Sequence, residues 1–268
     1  LPARDGDLAD LHLLTEAAEA AGAIARRYFD GEAKVWDKGD GQGPVTEADL
    51  AVNEHLHRML GRARPGYGWL SEESNPLGNL ARLNHERCFV IDPIDGTRAF
   101  IDRQPGFAHA LAVTERGRPV AAVVHLPMLN LTYAAVLGGG ATLNGKPIAA
   151  TQPAGPQGAT MLVARPALDP VHWPGGVPPV KREFRPSLAW RLSLVGEGRF
   201  DSMLTIRDSW DWDIAGAALI AAEAGARVTD RHGHPLRFNR AEARNPGVVA
   251  AGPALHAALM AGLTGKAA

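Results

Sequence analysis

Two carboxylates three residues apart, Asp92 and Asp95, stand where the apolar run Cys88-Phe89-Val90-Ile91 ends in Asp92-Pro93-Ile94-Asp95-Gly96-Thr97. A carboxylate at the end of a buried strand is costly unless a cation or hydrogen bonds balance it. Pro93 fixes φ and removes a donor, and Gly96 lets the backbone come close to a ligand. The amides of Gly96 and Thr97 would open a helical turn over 98–102, and free amides at a strand-to-helix junction attract anions. Acids beside such amides fit a divalent cation that bridges carboxylates and a phosphate. Taken alone, the motif also reads as an Asx turn with a helix cap.

Three further acidic features bear on that choice. Glu72-Glu73 closes the apolar run Trp69-Leu70-Ser71, Asp213 lies at the start of an Ala-rich helix, and Asp49 lies near another helix start. Each has an ordinary reading: a solvated charge pair for the glutamates, N-caps for the two aspartates. Together they supply the all-oxygen ligand set that magnesium prefers. The single cysteine, Cys88, allows no disulfide and no multi-cysteine zinc site, and reads as a small buried apolar residue. No His/Cys cluster has zinc-ligand spacing, and His232-Gly-His234 reads as a polar turn. With 28 basic against 29 acidic side chains, the chain lacks the basic footprint of a nucleic-acid binder. No stretch approaches the roughly 18 apolar residues of a membrane span, and the N-terminus lacks a signal-peptide pattern. A cytoplasmic protein with no membrane partner is the expectation, and a segment removed ahead of Leu1 is compatible with it.

Positioning these acids requires a framework. At 268 residues, 46% hydrophobic and 21% charged, the chain can build one large domain or two sharing a cleft. Leu8, Leu11, Ala18, Ala21, Ala25 and Tyr28 recur at helical spacing up to Asp30-Gly31. The glycine-rich stretch over 38–43 reads as a mobile loop. It lacks the Lys-Ser/Thr and the preceding strand of a nucleotide-binding loop. Thr46, followed three places later by Asp49, looks like a helix cap, with Val52, Leu56, Met59 and Leu60 on the apolar face behind it. Strands are expected over 110–114, 120–125 and 131–136, then a glycine-rich hairpin over 138–145. A boundary near residue 150 separates residues 1–150 from 151–268. Beyond it come a strand over 161–164, a Pro/Gly-rich loop and a helix over 187–196. The Ala-rich helix over 212–224, with Gly225 as its C-cap, and strands over 227–229 and 248–251 complete the chain.

The segments Pro44–Asp49, Leu70–Glu73, Asp92–Thr97, Gly139–Gly145, Leu194–Gly198, Trp212–Gly216 and Glu223-Ala-Gly225 resemble, in the same order, those of the inositol monophosphatase superfamily. The resemblance spans nearly the whole chain. It implies a layered αβαβα sandwich. In that fold an N-terminal α+β part carries most metal ligands, and a C-terminal α/β part contributes Asp213 and substrate contacts. It implies two or three Mg²⁺ ions per site and hydrolysis of a small phosphorylated metabolite by in-line attack of a metal-activated water. Glu72, Asp92 and the Ile94 carbonyl would hold the first ion, and Asp92, Asp95 and Asp213 the second; Glu72 would help anchor a weaker third. Asp49 and Thr97 would orient the water, with Asp49, Glu72 and Thr97 as the catalytic set. Asp95, Gly96, Thr97 and Asp213 would face the substrate. Homodimers and lithium sensitivity are family expectations.

Inositol phosphatases of the family carry a Glu shortly before the Trp-Asp helix start, whereas Thr205-Ile206-Arg207-Asp208-Ser209 has none. Leu70–Glu73, Arg98-Ala99-Phe100-Ile101 and Ser187-Leu188-Ala189-Trp190-Arg191 are similar instead to CysQ-type 3'(2'),5'-bisphosphate nucleotidases, which convert 3'-phosphoadenosine 5'-phosphate to AMP. A second phosphate calls for a cation, for which Arg191 is the first choice and Arg98 the second. Inositol-1-monophosphatase and histidinol-phosphate phosphatase are the alternatives within the superfamily. A regulatory interaction protein is the alternative outside catalysis.

Overall fold

In the computed structural model, which describes residues 2–39, 43–74 and 78–265, two long helices pack side by side on one face of a sheet. Helix α1 (Asp5–Asp30) buries Leu14, Ala17, Ala18, Ala21, Gly22 and Ala25 at three- and four-residue spacing, while Leu8 is exposed. A hairpin of β1 (Val35–Asp37) and β2 (Pro44–Thr46) leads to α2 (Glu47–Ala63). Residues 40–42 of the expected mobile loop lie outside the described residues.

Seven strands follow in spatial as well as chain order: β3 (Gly68–Ser71), β4 (Arg87–Asp95), β5 (Ala108–Glu115), β6 (Arg118–Leu126), β7 (Leu131–Val136), β8 (Gly140–Leu143) and β9 (Lys146–Pro147). β3 and β4 are parallel and every later pair is antiparallel. The short α3 (Thr97–Ile101) joins β4 to β5. The strands expected over 110–136 are thus β5 to β7. On this sheet α1 crosses β6 so closely that a Cβ on Gly22 would stand 2.8 Å from His125 Nε2.

The rest of the chain comprises β10 (Thr160–Val163), β11 (Lys181–Glu183), α4 (Leu188–Gly196), β12 (Ser202–Thr205), β13 (Ser209–Trp210), α5 (Asp211–Glu223), β14 (Arg227–Thr229), β15 (Arg244–Asn245), β16 (Val248–Ala251) and α6 (Pro253–Thr264). A five-stranded mixed sheet runs β11-β10-β12-β16-β14, and β13 pairs with β15 as a separate ribbon. Helices α4 and α5 lie between the two sheets, and α6 covers the far face of the smaller one. The layers are α1/α2, large sheet, α4/α5, small sheet, α6, the αβαβα order implied by the resemblance.

Between two sheets a helix has no water-facing side, which explains why α5 is apolar all round and mostly Ala, Ile and Leu. The helix begins at Asp211, one residue earlier than expected. It is capped at Ala224, with Gly225 one position beyond, at φ +92°. Strand β12 and helix α6 have no counterpart in the sequence reading. No described helix is long and apolar enough to cross a membrane.

Candidate metal centre

A side chain and the one three places on normally point to opposite faces of a strand. Asp92 pairs with Ala110 and Asp95 with Ala108, so Pro93 and Ile94 together face the single residue His109. This one-residue bulge reverses the parity of the strand, and both carboxylates emerge on the same side. Asp213, in the first turn of α5, reaches them from the other layer. One carboxylate oxygen from each of Asp92, Asp95 and Asp213 lies within 4.8 Å of the others.

The scaffold holds each acid by its own hydrogen bonds. Asp92 Oδ1 accepts from the Ile94 amide at 2.9 Å. Asp95 Oδ2 sits on the N-terminus of α4, accepting from Ser187 Oγ and the Ala189 amide at 2.6 Å each. Nevertheless burial raises all three, and with the neighbouring carboxylates it holds Asp92 and Asp213 well above the usual carboxylate range. Burial and crowding both penalise the ionised form, and a divalent cation among the three carboxylates would offset both.

Glu72 follows β3, which is parallel to β4, and its amide donates to Ile91 O at 3.2 Å, so it stands beside Asp92. Lys38 clamps this edge, donating to Glu72 Oε1 at 2.8 Å and Glu73 Oε1 at 2.7 Å. Burial opposes the ammonium charge, but Glu72 and Glu73 raise the Lys38 pKa overall. Glu73 is pushed up by burial in spite of Lys38.

Asp49 is the third residue of α2, not its N-cap. Thr46 is the N-cap, and Asp49 Oδ2 accepts from the Thr46 amide at 2.8 Å and hydroxyl at 2.5 Å. Its other oxygen takes Thr97 Oγ1 at 3.4 Å, while Thr97 Oγ1 also reaches Ile94 O at 3.2 Å. Burial lifts Asp49 to about 7. Gly96, at φ +99°, makes the left-handed turn from β4 into α3 that a side chain would strain.

The structure therefore brings Asp49, Glu72, Asp92, Ile94, Asp95, Gly96, Thr97 and Asp213 to one place. Arg191, by contrast, is nearly buried on α4. It donates to the carbonyls of Arg185 and Pro186 and stacks 4.2 Å from the Phe184 ring centroid. Burial lowers its pKa, against the pull of Asp95. Asp208 is exposed, as is Arg98. Two working residues escaped the sequence reading. Lys38, one of five lysines, had no signal apart from its rarity, and the role of Ser187 shows only once α4 is seen to point at Asp95.

A largely buried all-oxygen donor set with excess negative charge, which no His or Cys joins among the described residues, suits Mg²⁺ rather than zinc. The comparisons agree. The model of the inositol monophosphatase family matches residues 9–266. A Streptomyces griseus protein named as a glucose-1-phosphate thymidylyltransferase is 34% identical over 84% of this chain and 86% of its own. The 3'(2'),5'-bisphosphate nucleotidase CysQ of Haemophilus influenzae is 29% identical over 86% of this chain and 89% of its own. The crystal structure of the extragenic suppressor protein SuhB from Bartonella henselae superposes with a TM-score of 0.80 at 26% identity, covering 95% of this chain and 98% of that one. The chain belongs to the inositol monophosphatase family of Mg²⁺-dependent phosphoric monoester hydrolases.

Proposed function

We propose that the ester cleaved is the 3'-phosphate of a nucleoside 3',5'-bisphosphate, with 3'-phosphoadenosine 5'-phosphate giving AMP in the cytoplasm. The observation that carries this reading is the pattern of charge around the acid cluster. Where a polyol phosphatase would present a carboxylate, Asp208 faces solvent and no Glu stands in Thr205–Ser209. Arg98, directly after Thr97, is exposed, and no ion pair with a described residue engages its guanidinium. With Arg191 committed to the carbonyls of its own loop, Arg98 is the better placed cation for a second phosphate. The likeness to CysQ supports the same choice.

Asp92, Asp95, Asp213 and Glu72, with the Ile94 carbonyl, would hold Mg²⁺, which supplies Lewis-acid neutralisation of the phosphoryl oxygens and the departing alkoxide. The chain's own residues then position the reactants. Thr97 would donate its hydroxyl hydrogen bond to Asp49 or to the Ile94 carbonyl, which turns its lone pairs toward a water. The N–H groups of the first turn of α3 lack intrahelical acceptors and would be free to meet a phosphate oxygen. Ser187 and Ala189 keep Asp95 from swinging away, and Lys38 tethers Glu72 and Glu73 at the edge of the cluster.

Turnover of 3'-phosphoadenosine 5'-phosphate, inositol 1-phosphate, fructose 1,6-bisphosphate and histidinol phosphate, compared side by side with Mg²⁺, tests the proposal. The expected order places the bisphosphate nucleotide first, with its KM raised by Arg98→Ala and that of inositol 1-phosphate unmoved. A preference for inositol 1-phosphate would overturn the substrate and leave the metal centre standing.

A further inference from the structure

The bulge between Asp92 and Asp95 is the geometric origin of the site, and one side chain outside the acid cluster holds it. His109, on β5, is fully buried and is the residue that both Pro93 and Ile94 face across the ladder. Its Nδ1 lies 2.5 Å from the Pro93 carbonyl. Pro93 has no N–H to offer the ladder. The polar groups of Ile94 are turned to the site itself, its amide to Asp92 Oδ1 and its carbonyl to Thr97 Oγ1.

We infer that His109 is a positioning residue whose Nδ1–H pins the Pro93 carbonyl, sets the plane of the Pro93–Ile94 peptide, and so aims Asp92, Ile94 and Asp95 at a shared cation. A carbonyl can only accept, so the proton must sit on Nδ1 and Nε2 carries a bare lone pair. That Nε2 is buried with no hydrogen-bond partner among the described residues, beside the ring of His125 at 6.1 Å and 25°. Burial keeps the ring neutral, lowering it to about 3, so no positive charge stands behind the metal centre. An unsatisfied buried nitrogen is a cost that an apolar residue of the same volume would avoid. The imidazole is therefore explained by the bond its other nitrogen makes, not by packing. The neighbourhood leaves room for it: His125 is itself anchored through Nδ1 to Thr132 Oγ1 at 2.9 Å, and α1 presents Gly22 where any side chain would strike His125.

The inference rests on the reading of the acid cluster as a Mg²⁺ site, and the experiment separates the two. Mg²⁺ dissociation constants are measured by titration calorimetry on the metal-free protein, without substrate, for wild type and for His109→Asn, His109→Gln, His109→Leu and Asp95→Asn. Asn carries an N–H near the Nδ1 position, Gln carries it where Nε2 stood, and Leu fills the space with no donor. His109→Gln and His109→Leu are expected to weaken Mg²⁺ about tenfold or more, the usual cost of losing a hydrogen bond that orients a ligand, while His109→Asn stays within about threefold of wild type. If the Leu variant does not fold, the Asn and Gln pair decides, since both are polar and similar in bulk. Equal affinities in Asn and Gln, or wild-type affinity in Leu, overturn the role of His109 while wild-type binding and its loss in Asp95→Asn leave the metal centre intact. A wild-type protein that binds no Mg²⁺ overturns both.

Discussion

Two groups of buried and half-buried acids, three in each, are treated by this molecule in opposite ways. At the N-terminal end of α1, Asp7, Asp10 and Glu115 meet Arg4, Arg64 and Arg87 in a network where each carboxylate touches at least one guanidinium. Arg87 alone reaches Asp7, Asp10 and Glu115 at 2.7 to 2.9 Å. At the other site Asp92, Asp95 and Asp213 converge without an ion pair to any of them among the described residues, and the ion pairs of Lys38 go to the glutamates at the edge. The first group is complete within the chain and its purpose is to fasten α1 to the sheet. The second is complete only when a cation arrives. Buried acidity is thus no sign of function by itself; the balance of charge is.

The largest effect expected on that contrast comes from Asp213→Asn. Losing one preorganised charge from the cluster should lower kcat/KM by about 10²–10³-fold. The same change removes a buried, crowded carboxylate, so the metal-free protein should gain stability, seen as a higher melting temperature. A fall in both activity and metal-free stability would place Asp213 with the α1 network instead. Arg87→Leu is the converse. It should destabilise the fold by about 3 kcal/mol, the low end for a broken buried pair because Arg4 and Arg64 remain. Turnover per folded molecule should be unchanged, as urea denaturation and active-site titration together would report.

Next in size is the response to Mg²⁺. At 100 times its dissociation constant the ion should stabilise the wild type by about 2.7 kcal/mol. Arg87→Leu should keep that gain and Asp213→Asn should lose most of it. The two regions also differ in their response to pH. Burial lifts Asp49 to about 7, so in the metal-free protein it stays protonated over a range in which the unfolded chain has ionised. Below about pH 4 both states are protonated and Asp49 contributes nothing. Stability should then fall as pH rises toward 7 and level off above it. Glu115 runs the other way. The Arg4 hydrogen bond holds its pKa low, so its contribution is present above the ordinary glutamate range and is lost as pH falls through the lowered value. Urea midpoints from pH 3 to 8 should show the falling limb flattened by Mg²⁺, which displaces protons from the cluster, with the acid limb unaffected.

The contrast also explains what the sequence made legible. Asp92 to Thr97 are contiguous and end an apolar run, so their chemistry could be read locally, and the capping pair Thr46 and Asp49 likewise. The layer order came from resemblance, since no periodicity says which face of a strand meets which helix. The bulge was hidden because its partner, His109, is 16 residues from Pro93 and looks like any residue of a buried strand. The α1 network was wholly unread, since Asp7 and Arg87 are 80 residues apart and acids in a first helical turn are ordinary. Helix α6 and strand β12 were missed because β12 is only four residues long and the apolar residues of α6 follow no clear period.

The smallest effect expected falls at Thr46, where the fold and the site share a side chain. Asp49 gives Oδ2 to the Thr46 end of α2 and Oδ1 to Thr97. Thr46→Ala removes the N-cap hydroxyl, which should cost about 1 kcal/mol of stability. It also takes away one of the two donors that hold Oδ2, so the carboxylate can turn and loosen its hold on Thr97. A structural cap alone would change stability and leave kcat per folded molecule untouched. A cap that also orients Asp49 should lower kcat with little change in KM, and Thr46→Ser, which restores the hydroxyl, should recover both. Recovery of stability without kcat in the Ser variant would detach Asp49 from the catalytic set and leave it as a helix cap.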